Sequence, residues 1–207
     1  MQRRLFLSIV TGSPFYQTGH GAGGDLPKLR ILLNPENPAQ SYGEMIGEKG
    51  FRFSVGLGRN GITPSGKSFR SGSSLLGEFR INAILSARRF EMEKSLILKS
   101  GKSEAWLREN LFSNMSSIDF DGDGKSHEYG DAFIGLAPLN SKAKQPFHFG
   151  EFKGIFRWYS YAIHGTQNES RIGKCSTGGC INAGKADLRK VVYAVRVGDR
   201  VSVGAVP

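Results

Sequence analysis

A chain of 207 residues accommodates one domain, or one domain with an insertion, and 39% apolar residues suffice for a packed core. Twenty-eight glycines with 14 phenylalanines favour a β-rich fold with many turns over a helical bundle. The formal charge of +10 is carried by scattered Lys and Arg with no helix-turn-helix or RNA-binding pattern, so nucleic acid is excluded, leaving an anionic polymer or plain solubility. No apolar run reaches the roughly 18 residues of a transmembrane helix, and two nearby cysteines make neither a disulfide framework nor a zinc site.

The amino terminus reads two ways. Met1-Gln2-Arg3-Arg4 before Leu5–Val10 has the form of a basic export leader. Yet the apolar run is short, Thr11-Gly12-Ser13-Pro14 ends it, and no small-x-small cleavage site is clean. An ordinary first strand at Leu5–Val10 explains it equally. Residues 11–27 are rich in Gly and Pro and read as a loop or linker, with His20 solvated there. Residues 1–27 are therefore set apart as a possible signal or linker, and one domain is expected over 28–204.

Leu29–Asn34 predicts a short strand ended by Pro35. Phe51–Val55 alternates apolar and polar residues and predicts a second strand with one buried face. Gly56-Leu57-Gly58 then begins a Gly-rich bend running to Thr63-Pro64-Ser65-Gly66. No helix pattern follows it, so a nucleotide-binding loop is excluded by context. Gly77–Ile81 predicts another strand. Ile84-Leu85 and Leu96-Ile97-Leu98 also read as strands, and Ser103 caps a short helix over 103–110. An insertion is expected around 83–150.

Asp119-Phe120-Asp121-Gly122-Asp123-Gly124 places carboxylates at alternating positions with Gly sixth, the opening of a calcium loop. The twelfth position is Gly130, where a bidentate Glu belongs. Asp119, Asp121 and Asp123 thus stand as a weak calcium candidate against the plainer reading of a solvated acidic turn, with His127 exposed beside it. Ala132–Leu136 is a buried strand. In Phe147-His148-Phe149 the histidine lies on the face opposite the two rings. Gly154–Ile163 is an aromatic strand in which Phe156 and Trp158 read as core. After it, Leu188, Val191, Val192 and Val195 recur at helical spacing, Asp187 favours the helix start, and residues 197–203 make a final strand.

The chemistry concentrates between Tyr161 and Asn182. Tyr161-Ala162-Ile163 delivers His164, and Thr177-Gly178-Gly179-Cys180 follows a polar loop. A thiol with a free pKa of about 8.5 is a poor nucleophile until ionised. A nearby imidazole can take the proton and hold the thiolate as an ion pair. Glycines beside the cysteine let a substrate carbonyl approach and leave amides to bind an oxyanion. The plainer alternatives are a buried apolar Cys180 and a merely satisfied His164. Cys175 reads as packing, or as a partner that would block Cys180 in a disulfide.

His164-Gly165-Thr166, Ile172-Gly173 and Thr177-x-Gly179-Cys180-Ile181-Asn182, at this spacing, resemble the catalytic motif of the L,D-transpeptidase (YkuD-type) family. One position departs: the family's second histidine is Gly178 here. The stretch Thr63-Pro64-Ser65-Gly66, with Phe69 or Phe79 after it, resembles the family's upstream strand-turn. The carboxyl-terminal helix and strand also follow its order. The resemblance implies a mostly β fold, an L,D-transpeptidase-like β-sandwich of mixed sheets with one or two short helices. It implies a cysteine acyltransferase acting on peptidoglycan stem peptides in the cell envelope, periplasmic or exported, as a monomer with no cofactor. Cys180 would be the nucleophile, His164 the base, and the Gly165 carbonyl its orienting partner. Gly178, Gly179, Thr177 and Asn182 would form the oxyanion loop, and Tyr161, Thr166 and Ser176 would line the substrate site. A carboxypeptidase, a wall-targeting antibacterial effector and a non-catalytic wall-binding protein are the alternatives. The missing second histidine supports the last of these.

Overall fold

The sheet begins where the alternation of Leu29, Ile31 and Leu33 begins, each fully buried along one face of a strand. The computed structural model describes residues 26–120, 122–139 and 148–206. The expected strand Leu5–Val10, His20, Asp121 and Phe147 lie outside the described residues. In chain order the elements are β1 (Leu29–Leu33), β2 (Tyr42–Met45), β3 (Arg52–Gly58), β4 (Ile62–Thr63), β5 (Ser74–Leu75), β6 (Gly77–Ser86), β7 (Phe90–Met92), α1 (Lys94–Ser100), α2 (Glu104–Ser117), β8 (Ala132–Pro138), β9 (His148–Phe152), β10 (Ile155–Tyr159), β11 (Ala162–His164), β12 (Cys175–Thr177), β13 (Ile181–Ala183), α3 (Lys185–Ala194) and β14 (Arg200–Ala205).

Ten strands join one sheet in the order β12-β3-β13-β11-β8-β6-β14-β1-β2, with β7 on β6. Because β2 also pairs with β3, the path closes on itself. Leaving out the appended β12 and β7, eight strands make a ring without a free edge between β2 and β3. The sheet is mixed: β1 with β14, β11 with β13 and β12 with β3 run parallel, the other neighbours antiparallel. The fold is thus mostly β with mixed sheets, as expected, with three short α-helices among the described residues.

Two apolar clusters follow from the alternation. The first gathers Leu29, Ile31, Val55, Ile134, Ile163, Ile181 and Val203 from one face of the ring, with Leu188 and Val191 of α3 and Val195 just after it. The second gathers Leu85, Phe133 and Ala162 from the other face with Leu107, Leu111 and Met115 of α2, plus Tyr129 and Trp158. Side chains of this size contribute about 1.5–3 kcal/mol each when fully buried. A register shift between Ile81 and Ala83 lets β6 feed both clusters along one strand.

Three expectations are corrected. Leu96-Ile97-Leu98 lies in α1, where Leu96 and Ile97 pack on the second cluster and Leu98 is 81% exposed. Gly101, at φ 66°, ends that helix in the left-handed conformation a glycine takes without penalty. Gly56-Leu57-Gly58 is strand rather than bend, since β3 continues through it and the turn comes at Arg59-Asn60. The aromatic run 154–163 is two strands. β10 pairs with β9 in its own hairpin, the chain turns at Ser160-Tyr161, and β11 enters the ring. The helix at Ser103 forms as expected, with the Ser103 hydroxyl accepting from the Trp106 amide at 3.1 Å, but it runs to Ser117.

Candidate active site

Strand pairing places the two reactive groups on one face. β11 and β13 run parallel with Ile163 beside Ile181 and His164 beside Asn182. Ile163 and Ile181 turn into the first cluster, so His164 and Cys180 turn the other way, toward Tyr129 and Ala162. Cys180 stands one residue before β13, at the level of Ala162, with its sulfur 3.7 Å from the Ser160 carbonyl oxygen. The register sets Cys180 across from Ala162, two positions before His164 on the same face.

The imidazole is fixed from behind. Its Nδ1 lies 2.6 Å from the Gly165 carbonyl oxygen, which can only accept, so Nδ1 carries the proton. Asn182, 3% exposed, donates to the same carbonyl at 2.9 Å and steadies it. Nε2 is therefore the basic nitrogen, and it has no hydrogen-bond partner among the described residues. The Tyr129 ring meets the imidazole edge-on at 4.8 Å, and Phe133 stacks against it at 6.0 Å.

Burial sets the resting protonation. Loss of water pushes His164 down to about 4, against the smaller opposing effect of the Gly165 bond. Cys180 keeps part of its surface in solvent, yet the surrounding interior pushes its thiol up to about 11. Both shifts favour the uncharged forms of the pair, a thiol beside a neutral imidazole.

The glycine loop has a clear division of work. Thr177, 7% exposed, donates its hydroxyl to the Cys180 carbonyl at 2.5 Å and accepts the Gly179 amide at 3.1 Å. The Gly179 amide is therefore occupied and drops out of the expected oxyanion set. Gly179 has φ +126°, and a Cβ there would stand 2.7 Å from the Phe69 ring. Its carbonyl accepts from the Ser74 hydroxyl at 2.8 Å. Gly178 is exposed with open space where a side chain would go, so the position of the missing histidine is solvent-facing.

The expected substrate-binding residues fare differently. Tyr161 is 2% exposed, tilted against Phe79 at 5.2 Å, and its hydroxyl donates to the Leu75 carbonyl at 3.0 Å. It is a core residue of the inner face, alternating with Ala162 and sharing the first cluster with Ile163. Thr166 is also buried and closes its own turn by accepting from the Asn168 amide at 3.1 Å. The Ser176 hydroxyl is buried without a partner among the described residues. Cys175 and Cys180 are both free thiols, and the Cys175 sulfur lies 3.8 Å from the Pro35 carbonyl oxygen.

Of the calcium candidates, Asp121 lies outside the described residues. The Asp119 carboxylate accepts the amides of Gly122 and Gly124 at 2.6 and 2.8 Å, and those bonds hold it below the usual carboxylate range. Asp123 accepts from the Lys125 amide and ammonium. No group of three His, Cys, Asp or Glu suited to a metal occurs among the described residues.

Sequence reading missed the wall facing the pair. Gly130 sits so close to Gly165 and Thr166 that a Cβ would fall 2.6 Å from the Thr166 amide nitrogen. That contact docks the loop after α2 onto the histidine and brings in Tyr129. Arg157 of β10, 9% exposed, donates to the Tyr129 hydroxyl at 2.8 Å. Glu128 and Asp131 tie the same loop to Arg171 and to Lys185 and Arg189 of α3. The only sequence signal was the placement of Tyr129-Gly130-Asp131 before a buried strand.

A family model described as L,D-transpeptidase catalytic domain, YkuD, matches residues 42–203. Solved structures similar to the chain include L,D-transpeptidase 3 from Mycobacterium tuberculosis in complex with a faropenem-derived adduct. That likeness has 14% identity and a TM-score of 0.43, over 86% of this chain and 60% of that one. An L,D-transpeptidase from Mycobacterium smegmatis is similar at 11% identity and a TM-score of 0.40, over 86% and 58%. The chain thus spans about three fifths of the length of these structures. No curated protein matches it.

Proposed function

The chain belongs to the YkuD family of L,D-transpeptidase catalytic domains, and from that membership we propose that it forms a cysteine acyl-enzyme with peptidoglycan stem tetrapeptides and passes the acyl group to an amine. The observation that carries the reading is the free Nε2 of His164, its Nδ1 locked to Gly165, on the same face as Cys180.

In the first step the Cys180 proton passes to His164 Nε2 as the sulfur attacks the carbonyl of the third stem residue. A carbon–sulfur bond forms, the amide bond to the terminal D-residue breaks, and the imidazolium returns the proton to the leaving amine. An acceptor amine then attacks the thioester and loses its proton to His164. The thiolate that leaves takes that proton back, so one amide is exchanged for another. With Gly179 engaged by Thr177, the amides of Gly178 and Cys180 are the oxyanion donors. The neutral resting pair keeps the thiol unreactive until a substrate displaces water. No step requires a metal. Water as acceptor would make the product a trimmed peptide. Acting on wall peptides, the protein would work in the cell envelope as an exported monomer; among the described residues no helix is long and apolar enough to cross a membrane.

Intact mass after incubation with a carbapenem tests the reading. One adduct on the wild type and none on Cys180→Ala is the expected result. Absence of any adduct on a reduced, folded protein would instead favour a wall-binding role, which the solvent-facing Gly178 makes the natural second reading. Digestion of purified wall then separates cross-linked from trimmed peptides, and an effector from a maintenance enzyme by whose wall it attacks.

A further inference from the structure

Arg157 is a buried cation with no carboxylate partner among the described residues. It is 9% exposed, and its Nε is buried without a partner among those residues. Its guanidinium lies 4.1 Å from the Tyr159 ring centroid and 4.6 Å from that of Phe120, a sandwich of aromatic faces. Among the described residues its guanidinium donates to the Tyr129 hydroxyl at 2.8 Å. Desolvating a charge is costly unless something compensates, and two ring faces with one neutral hydroxyl compensate only in part. A fold that needed only packing here would be served as well by an apolar side chain.

The position says what the charge is for. Tyr129 bridges the guanidinium to the imidazole, its hydroxyl on Arg157 and its ring edge on His164. Arg157 also stands three residues before Ser160, whose carbonyl touches the Cys180 sulfur. Tyr129 belongs to the second apolar cluster, and Cys180 packs against that same cluster. Resting on the acyl-enzyme reading above, we propose that Arg157 is an electrostatic positioning residue: its charge, aimed through the Tyr129 wall, stabilises the negative charge that develops on the Cys180 sulfur. It touches neither the substrate nor the reacting atoms. The same arrangement pulls the thiol downward, although burial outweighs it. Arg157 would thereby limit how far the interior suppresses the thiolate, while keeping the resting pair neutral.

The test is the pH profile of Cys180 alkylation by iodoacetamide, read by intact mass in a Cys175→Ser background. Arg157→Met fits the same aromatic sandwich with no charge to desolvate. Each unit of upward shift in the thiol lowers its thiolate fraction about tenfold at a fixed pH below the midpoint. We expect Arg157→Met to react about tenfold more slowly at pH 8 while melting no lower than the parent. Arg157→Lys should return most of the rate. Equal profiles for the parent and Arg157→Met would overturn the assignment, and so would a rate loss in Arg157→Met accompanied by a lowered melting temperature that Lys does not repair. A parent whose Cys180 takes no electrophile at any pH would instead sink the acyl-enzyme reading itself.

Discussion

At the scale of single residues, His164 carries a price in pH dependence. Its folded-state pKa is about 4 against an ordinary 6.5, because burial disfavours the cation. As pH falls below 6.5 the unfolded chain takes up a proton that the folded chain refuses until about 4. Stability should be full above that window and decline through it by about 3 kcal/mol. Urea melts at pH 7 and pH 4 would measure the decline, and His164→Gln should flatten it. Gly179 is fixed for a different reason. Gly179→Ala brings a Cβ to 2.7 Å from Phe69 in a backbone region that L-residues avoid, and should cost about 1–3 kcal/mol together with most of the carbapenem adduct. Tyr161→Phe separates a core role from a substrate role. Losing the bond to Leu75 should lower stability by about 1 kcal/mol and leave the rate of adduct formation unchanged. A fall in that rate with unchanged stability would return Tyr161 to the substrate site.

At the scale of elements, α2 is the backing of the site. Leu107, Leu111 and Met115 are fully buried beneath Phe133 and Trp158, which in turn hold His164 and the β10 hairpin. Leu111→Ala should cost about 2–5 kcal/mol. Because the loop after α2 docks on Gly165 through Gly130, the same variant should slow Cys180 alkylation at temperatures well below its melt. The loop itself satisfies its Asp119 carboxylate with backbone amides. Calcium and a chelator should therefore give the same melting temperature, and a rise with calcium would restore the metal at Asp119, Asp121 and Asp123. Ser103, the cap of α2, was readable as a local signal, since a side-chain cap acts within a few residues. The helix over Leu96-Ile97-Leu98 was not, because three apolar residues carry no period by themselves.

At the scale of the whole molecule, closure decides what a sequence cannot. The alternation in β1 and β3 and the helical spacing in α3 mark buried faces, and His164-Gly165-Thr166 with Thr177-x-Gly179-Cys180 marks a thiol and a base. These features are local, set by side-chain period and by residue types a few positions apart, so the sequence by itself determined them. It did not determine that β2 meets β3 to close the ring, nor that the chain turns at Ser160 and sends Tyr161 inward. Only the tertiary structure set the register of β11 against β13, which puts Cys180 and His164 on one face. It alone gathered Tyr129 and Arg157 from 28 positions apart against the imidazole and near the thiol. Burial depends on which distant segments pack together. For that reason the neutral resting state of the pair, unlike its identity, could be read only from the folded chain.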